Sequence, residues 1–217
     1  MKKMPHNSDA LIANLVGSLE PVKPLSFAKG LGYALAAAAL SSFAVIGLFG
    51  LRDDLMQGQF DPVFLIAAGL YLGLGLAASV TVIVMSRPQV GSDHGGWVWA
   101  AAMTALLPAA ALIVSFASAT DVLARSSIAH GLECLIIGGG ASLLVFAALV
   151  LWLRKGAPTA PDRAGLVAGV AAGSLGIFAF SLHCPDNDII HIGLWHSGVV
   201  LLMAGMGRII VPPLVRW

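Results

Sequence analysis

Two thiols and four imidazoles crowd the second half of this sequence. They are His130, Cys134, His183, Cys184, His191 and His196, interleaved with Glu133, Asp186 and Asp188. Cys134 and Cys184 are the only cysteines in the 217 residues. Thiolate and imidazole together suit zinc, copper and other soft or borderline ions. Two thiols in an oxidising compartment can instead close a disulfide, which needs Cα atoms within about 7 Å. His130 and Cys134 are four apart and so share one face of a helix, with Glu133 beside them. The segment from His183 to Asp188 reads His-Cys-Pro-Asp-Asn-Asp, and His191 and Trp195-His196 follow. Cys134 and Cys184 are therefore a candidate pair for a disulfide or a shared metal. His130, Glu133, His183, Asp186, His191 and His196 are candidate metal ligands. There is no Cys-x-x-Cys, no His-Glu-x-x-His and no Gly-x-Ser-x-Gly, so no catalytic residue is expected and the chain does not read as an enzyme.

The elements that must position these groups are membrane helices. Hydrophobic residues make up 58 % of the chain and charged residues 11 %, against about 45–50 % and about 25 % in soluble domains. The net charge is +1 and there is no clustered basic face, which argues against direct nucleic-acid binding. A spanning helix takes about 20 mostly apolar residues. Six such stretches fit, over 30–51, 62–86, 97–118, 131–153, 164–183 and 192–211. The expected fold is all-α, a polytopic six-transmembrane-helix bundle over residues 30–217 with a cytoplasmic arm over residues 1–29. The first apolar run exceeds a signal-peptide core of about 7–15 residues and reads as a retained anchor.

Lys and Arg favour the cytoplasmic side of short loops. Ten of them fall on the side of the arm, the second and fourth loops and the C-terminal end, against Arg52 and Arg125 on the other. Both termini are then cytoplasmic, and the Cys/His groups lie at the outward ends of the fourth and fifth spans, facing a periplasm. A disulfide or a shared metal there would tie these two spans together. Charge is nearly absent from mid-membrane, which disfavours an ion-coupled transporter. A heavy-metal transporter and a thiol oxidoreductase remain the alternatives. Gly165, Gly169 and Gly173 recur every four residues, the spacing for close helix approach in lipid. Gly138-Gly139-Gly140 is a second small-residue site, and Pro108 falls mid-span, where a kink is expected.

The arm carries its own signal. Leu11, Ile12, Leu15, Val16 and Leu19 recur at helical spacing. Ser8 is placed to cap, Asp9 falls in the first turn, and Pro21 stops the helix. The segment from Ser8 to Glu20 has no Lys or Arg, unlike a helix lying on lipid, so those five apolar residues are the candidate contact for a protein partner in the helix-in-groove manner. The Pro21-Val22-Lys23-Pro24-Leu25 connector leads stiffly into the first span.

The order of these motifs resembles one known family. An Asp-x-Leu-Ile-x-x-Leu arm precedes Pro-Val-x-Pro-Leu. A Glu133-Cys134 pair opens the fourth span, and Arg154 to Thr159 reads Arg-Lys-Gly-Ala-Pro-Thr. Leu182 to Asp186 reads Leu-His-Cys-Pro-Asp, and Trp195-His196 follows. The sequence is similar throughout to the NrsF family (negative regulator of sigma F), membrane-embedded anti-sigma factors. The resemblance implies a multi-pass protein of the bacterial inner membrane that contacts lipid and holds an extracytoplasmic-function sigma factor at the cytoplasmic face. It also implies that Cys134 and Cys184 sense heavy-metal or oxidative stress. No cofactor is required in that picture, and a divalent heavy metal enters only as signal.

Overall fold

The computed structural model describes residues 8–19, 24–88, 96–118 and 127–215. These residues contain helices and no strand. The chain runs α1 (Ser8–Gly17), α2 (Phe27–Phe49), α3 (Asp53–Met56), α4 (Pro62–Met85), α5 (Gly96–Ser118), α6 (Ile128–Lys155), α7 (Pro161–Ser181) and α8 (Ile189–Val215). Within α8, Ile192–His196 winds as a π-helix. Six of these helices, all but α1 and α3, are long and apolar enough to cross a membrane. They agree with the six stretches expected from hydropathy, with ends shifted by a few residues. His6, Pro21, Lys23, His94 and Arg125 lie outside the described residues.

Local chemistry starts and stops these helices. Asp61 caps α4, accepting from Val63 N at 2.7 Å and Phe64 N at 3.3 Å, with Pro62 in the first turn where its missing N–H costs nothing. Asp188 caps α8 through Ile190 N at 2.7 Å. Gly50 ends α2 with φ at +89°, a left-handed value that glycine adopts without a Cβ clash.

The core is organised around α7. Its most apolar window is 89 % buried, against 22–44 % for the other five spans. It packs on α8, α6, α4 and α2. The glycine stripe explains this position. A Cβ on Gly165 would lie 2.3 Å from Gly207 O, one on Gly169 would lie 2.0 Å from Met203 O, and one on Gly173 would lie 2.8 Å from Val200 Cα. The α7 and α8 backbones therefore touch, which maximises dispersion contact where lipid removes the hydrophobic drive between helices. Of the triple glycine only Gly138 is packed, against Ile177; Gly139 and Gly140 face open space. Pro108 lies within α5.

Several hydroxyls inside the bundle find partners on the backbone, whereas the buried Ser174 Oγ completes no hydrogen bond. The hydroxyls of Ser79, Thr104, Ser115 and Ser142 donate to carbonyls four residues back, and Ser41 reaches across to Ala141 O at 2.8 Å, joining α2 to α6.

The two ends of the bundle differ. At the end where α2 begins, Gly30 abuts Trp152 and Ile83, Trp152 Nε1 donates to Ser86 Oγ at 3.1 Å, and Ala157 N donates to Ser86 O. Antiparallel alternation puts Lys29, Arg87, Arg154, Lys155, Arg163 and Arg208 toward this end. At the other end Arg52 N donates to Leu182 O at 3.0 Å, and Arg52 is the basic residue there among the described ones. With 23 residues in α2, the ends are about 35 Å apart at 1.5 Å per residue.

The arm differs in detail from its expected form. α1 begins at Ser8 and ends at Gly17, so Ser8 falls within the helix rather than before it. Ser18 N and Leu19 N close a final turn on Asn14 O and Val16 O, and Ser18 Oγ bonds Leu15 O. These turn contacts end the helix before Pro21, and Leu19 lies beyond it. Leu11, Ile12, Leu15, Val16 and Leu19 are 56–73 % exposed.

Candidate functional site

Three separate segments meet at the end of the bundle opposite the start of α2. The first two turns of α6 supply His130 and Cys134. Ser127 caps the first turn through a long 3.5 Å contact from His130 N. The loop after α7 supplies Cys184, whose N donates to Phe180 O at 3.1 Å. The start of α8 supplies His191.

Their reactive atoms converge. Cys134 Sγ lies 4.0 Å from Cys184 Sγ, 3.4 Å from His191 Nε2 and 3.9 Å from His130 Nε2. One ligand atom from each of the four falls within 4.8 Å of the others. Both cysteines are free thiols and are buried, and His191 is 1 % exposed. The imidazoles of His130 and His191 stack with centroids 5.0 Å apart. On its far side His191 Nδ1 faces Asp186 Oδ2 at 3.3 Å. Cys184 is held below the usual thiol range, first by the hydrogen bond with Cys134 and then by His191 and His196, which together outweigh its burial.

The other candidates fall outside this cluster. His183 turns toward α2: its Nδ1 meets Gly50 O at 3.1 Å and its ring packs on Phe49 and Phe180. Glu133 is exposed on α6. His196 is buried beneath the cluster, edge-on to His191 at 5.3 Å and to Phe180 at 6.0 Å. Its Nε2 completes no hydrogen bond, and it lines the same small cavity as Cys184, Arg52 and Tyr71.

The π-turn is what brings His191 and His196 together. Five residues apart on an α-helix point about 140° away from each other. An i→i+5 turn nearly superposes them, and such turns occur often at functional sites. Close packing holds the turn in place. Trp195 lies flat on Gly131, where a Cβ would sit 2.0 Å from its ring, and Gly193 abuts Ala111 and Leu107 O of α5. Nothing in hydropathy marks a π-turn; the closest signal was the five-residue spacing of the two histidines.

Arg52 is the residue that sequence reasoning missed, because it counts only as a loop charge. It is 4 % exposed. Its guanidinium forks onto Asp54 at 2.6 and 2.7 Å, donates to Asn187 Oδ1 at 2.9 Å and lies over the Phe64 ring at 4.3 Å. The same contact holds the Asp54 carboxyl below its ordinary range, against desolvation. Arg52 therefore ties the first loop to the Cys184 loop. Arg52→Met should lower the thermal midpoint of the detergent-solubilised chain by about 4–8 °C, through loss of the buried charge-assisted bonds. Arg52→Lys should fall between the two, since an ammonium cannot reproduce the fork. A midpoint unchanged in Arg52→Met would show that the clamp contributes nothing.

The fold and the site together define a multi-pass helical membrane protein with a buried thiol and imidazole centre at one end of the bundle and a short helix of exposed apolar side chains preceding the first span. Residues 15–217 match the family described as NrsF, negative regulator of sigma F, and the chain belongs to it. It is 33 % identical to the anti-sigma-F factor NrsF of Caulobacter vibrioides (strain NA1000 / CB15N), covering 96 % of this chain and 97 % of that protein. It is 28 % identical to the probable anti-sigma-F factor NrsF of Azospira oryzae (strain ATCC BAA-33 / DSM 13638 / PS), over 95 % and 96 % of the two. No solved structure matches it. The family's role is regulatory: these are anti-sigma factors.

Proposed function

We propose that this anti-sigma factor resides in the bacterial inner membrane and sequesters an extracytoplasmic-function sigma factor through Leu11, Ile12, Leu15, Val16 and Leu19. Release follows when the Cys134/Cys184 site, on the periplasmic side, meets a heavy metal or a thiol oxidant. The observation that carries this reading is the approach of the two thiols to 4.0 Å at the end opposite the start of α2, in a chain whose preceding arm exposes its apolar side chains. The basic residues gathered at the arm end support a cytoplasmic arm.

Coupling requires that the signal favour one of two bundle arrangements. A shift from 1:99 to 99:1 takes about 5.5 kcal/mol of differential affinity. A structural zinc site supplies about 10–16 kcal/mol of gross binding, which exceeds that figure; a disulfide at about 2–4 kcal/mol falls short of it and would produce a smaller shift. The mid-span hydroxyls of Ser79, Thr104 and Ser142 are bonded to their own helices, which supports a regulator over a metal transporter lined by mid-membrane ligands.

The test is affinity capture from detergent-solubilised membranes. The full chain should recover a sigma factor, identified by mass spectrometry, and a chain lacking residues 1–29 should not. Equal recovery by both chains would overturn the arm as the contact. Recovery of no sigma factor by the full chain would overturn the sequestering role.

A further inference from the structure

We infer that His130, Cys134, Cys184 and His191 form a closed four-ligand site for a soft or borderline cation of tetrahedral preference, of the zinc and cadmium class, with Asp186 as the carboxylate that orients His191. This deepens the sensing reading above and rests on it for its biological meaning, though not for its geometry.

The spacing of the donor atoms is the first argument. Bonds of about 2.3 Å to sulfur and about 2.0–2.1 Å to nitrogen at tetrahedral angles put ligand sulfurs about 3.8 Å apart and sulfur about 3.6 Å from nitrogen. The observed separations are 4.0 Å between the sulfurs, and 3.4 and 3.9 Å from Cys134 Sγ to the two imidazole nitrogens. Shifts of a few tenths of an ångström would seat an ion. A disulfide, by contrast, needs sulfurs about 2.05 Å apart and would use only two of the four groups.

The surroundings of the site are the second argument. A metal-bound histidine characteristically turns its other nitrogen to a carboxylate or carbonyl, which fixes its tautomer. His191 is placed for this: Nε2 faces Cys134, and the buried Nδ1, which completes no hydrogen bond, lies 3.3 Å from Asp186 Oδ2. Three of the four ligands are buried and His130 is half-buried at the rim, so His130 marks the way in. Two soft and two borderline donors exclude magnesium and calcium, which take oxygen. The four ligands fill a tetrahedron and leave no open position, as in structural rather than catalytic zinc sites.

Occupancy would join α6, the Cys184 loop and the start of α8 through a single atom. Cys134 Sγ and Cys184 Sγ would surrender their protons on binding, because thiolate is the ligand form. Oxidation of the pair to a disulfide would remove both sulfur ligands, so metal binding and the disulfide exclude each other.

The experiment is titration of the purified, reduced full-length chain in detergent with cobalt(II), followed by displacement with zinc or cadmium. One cobalt per chain, with the intense visible bands of a tetrahedral ion and near-ultraviolet thiolate charge transfer, is expected. Cys134→Ser and Cys184→Ser should abolish the charge transfer. His191→Ala should weaken binding at least 10-fold, and the nearly isosteric Asp186→Asn should weaken it about 10–100-fold. His183→Ala should leave it unchanged. Failure of the reduced chain to bind, weak octahedral bands, or undiminished affinity in both His130→Ala and His191→Ala would overturn the four-ligand site. The sensing reading fails separately: cobalt or cadmium bound at full stoichiometry, with the captured sigma factor still held, would refute metal-triggered release and leave the site standing.

Discussion

Valine in place of Gly169 should abolish the assembled bundle. A Cβ at this position would lie 2.0 Å from Met203 O, 2.6 Å from Met203 C and 2.7 Å from Ala204 Cα. All three are backbone atoms, so no rotamer change relieves the clash and α8 must move away. Ordinary overpacking costs about 1–3 kcal/mol because side chains can shift; here the cost should exceed that range. The neighbours leave no slack, since a Cβ added at Gly165 or at Gly207 would run into the other residue's carbonyl oxygen. α8 also begins with the segment that carries His191 and His196, so the thiol and imidazole centre should disperse as α7 and α8 part. Thermal unfolding and size-exclusion in detergent would show a lost transition or an aggregated peak. Gly139→Ala and Gly140→Ala are the controls. Both positions are open, and alanine is the better helix former by about 0.8–1 kcal/mol. A Gly169→Val chain that unfolds at the temperature of the unchanged protein would refute the close α7–α8 contact.

The six spans were legible because lipid imposes a crude and strong rule, about 20 apolar residues at a stretch. The α7 stripe was legible as well, since only small residues at four-residue spacing let backbones touch. Part of the centre was visible for a similarly local reason: His130 and Cys134 share a helix face through i,i+4 geometry. The rest was set by tertiary contacts. That Cys184 meets Cys134 depends on α6 and α7 being neighbours, which no hydropathy profile states. His183 and Cys184 are adjacent in sequence, yet the first turns to Gly50 O while the second enters the cluster. His191 joins it through a helix start capped by Asp188, and His196 lies beneath it because of a π-turn wedged between Gly131 and Ala111. Arg52 read as a loop cation, and its burial follows from Asp54, Asn187 and Phe64 converging from different loops and helices.

Leu15→Asp should release the sigma factor while leaving the bundle intact. Leu15 is 58 % exposed and stands between Leu11 on one side and Ile12 and Val16 on the other at helical spacing. A helix of 10 residues is too short to be stable alone in water, where about 12–15 residues are marginal. Its apolar side chains therefore gain most from a partner surface that covers them. Burying an unpaired carboxylate in such a contact costs several kcal/mol, and about 3 kcal/mol already corresponds to more than a 100-fold loss of affinity. Because Leu15 makes no part of the buried core, the thermal midpoint of the solubilised chain should not change, which separates lost contact from lost fold. Leu15→Met keeps the apolar area and should retain the partner, and Ser18→Asp, on an exposed residue outside the apolar set, should have little effect. Co-purification from membranes reads all three. If Leu15→Asp brings down as much sigma factor as the unchanged chain, the contact lies elsewhere on the same face, and the last turn of α6 bearing Arg154 and Lys155 would be the next surface to alter.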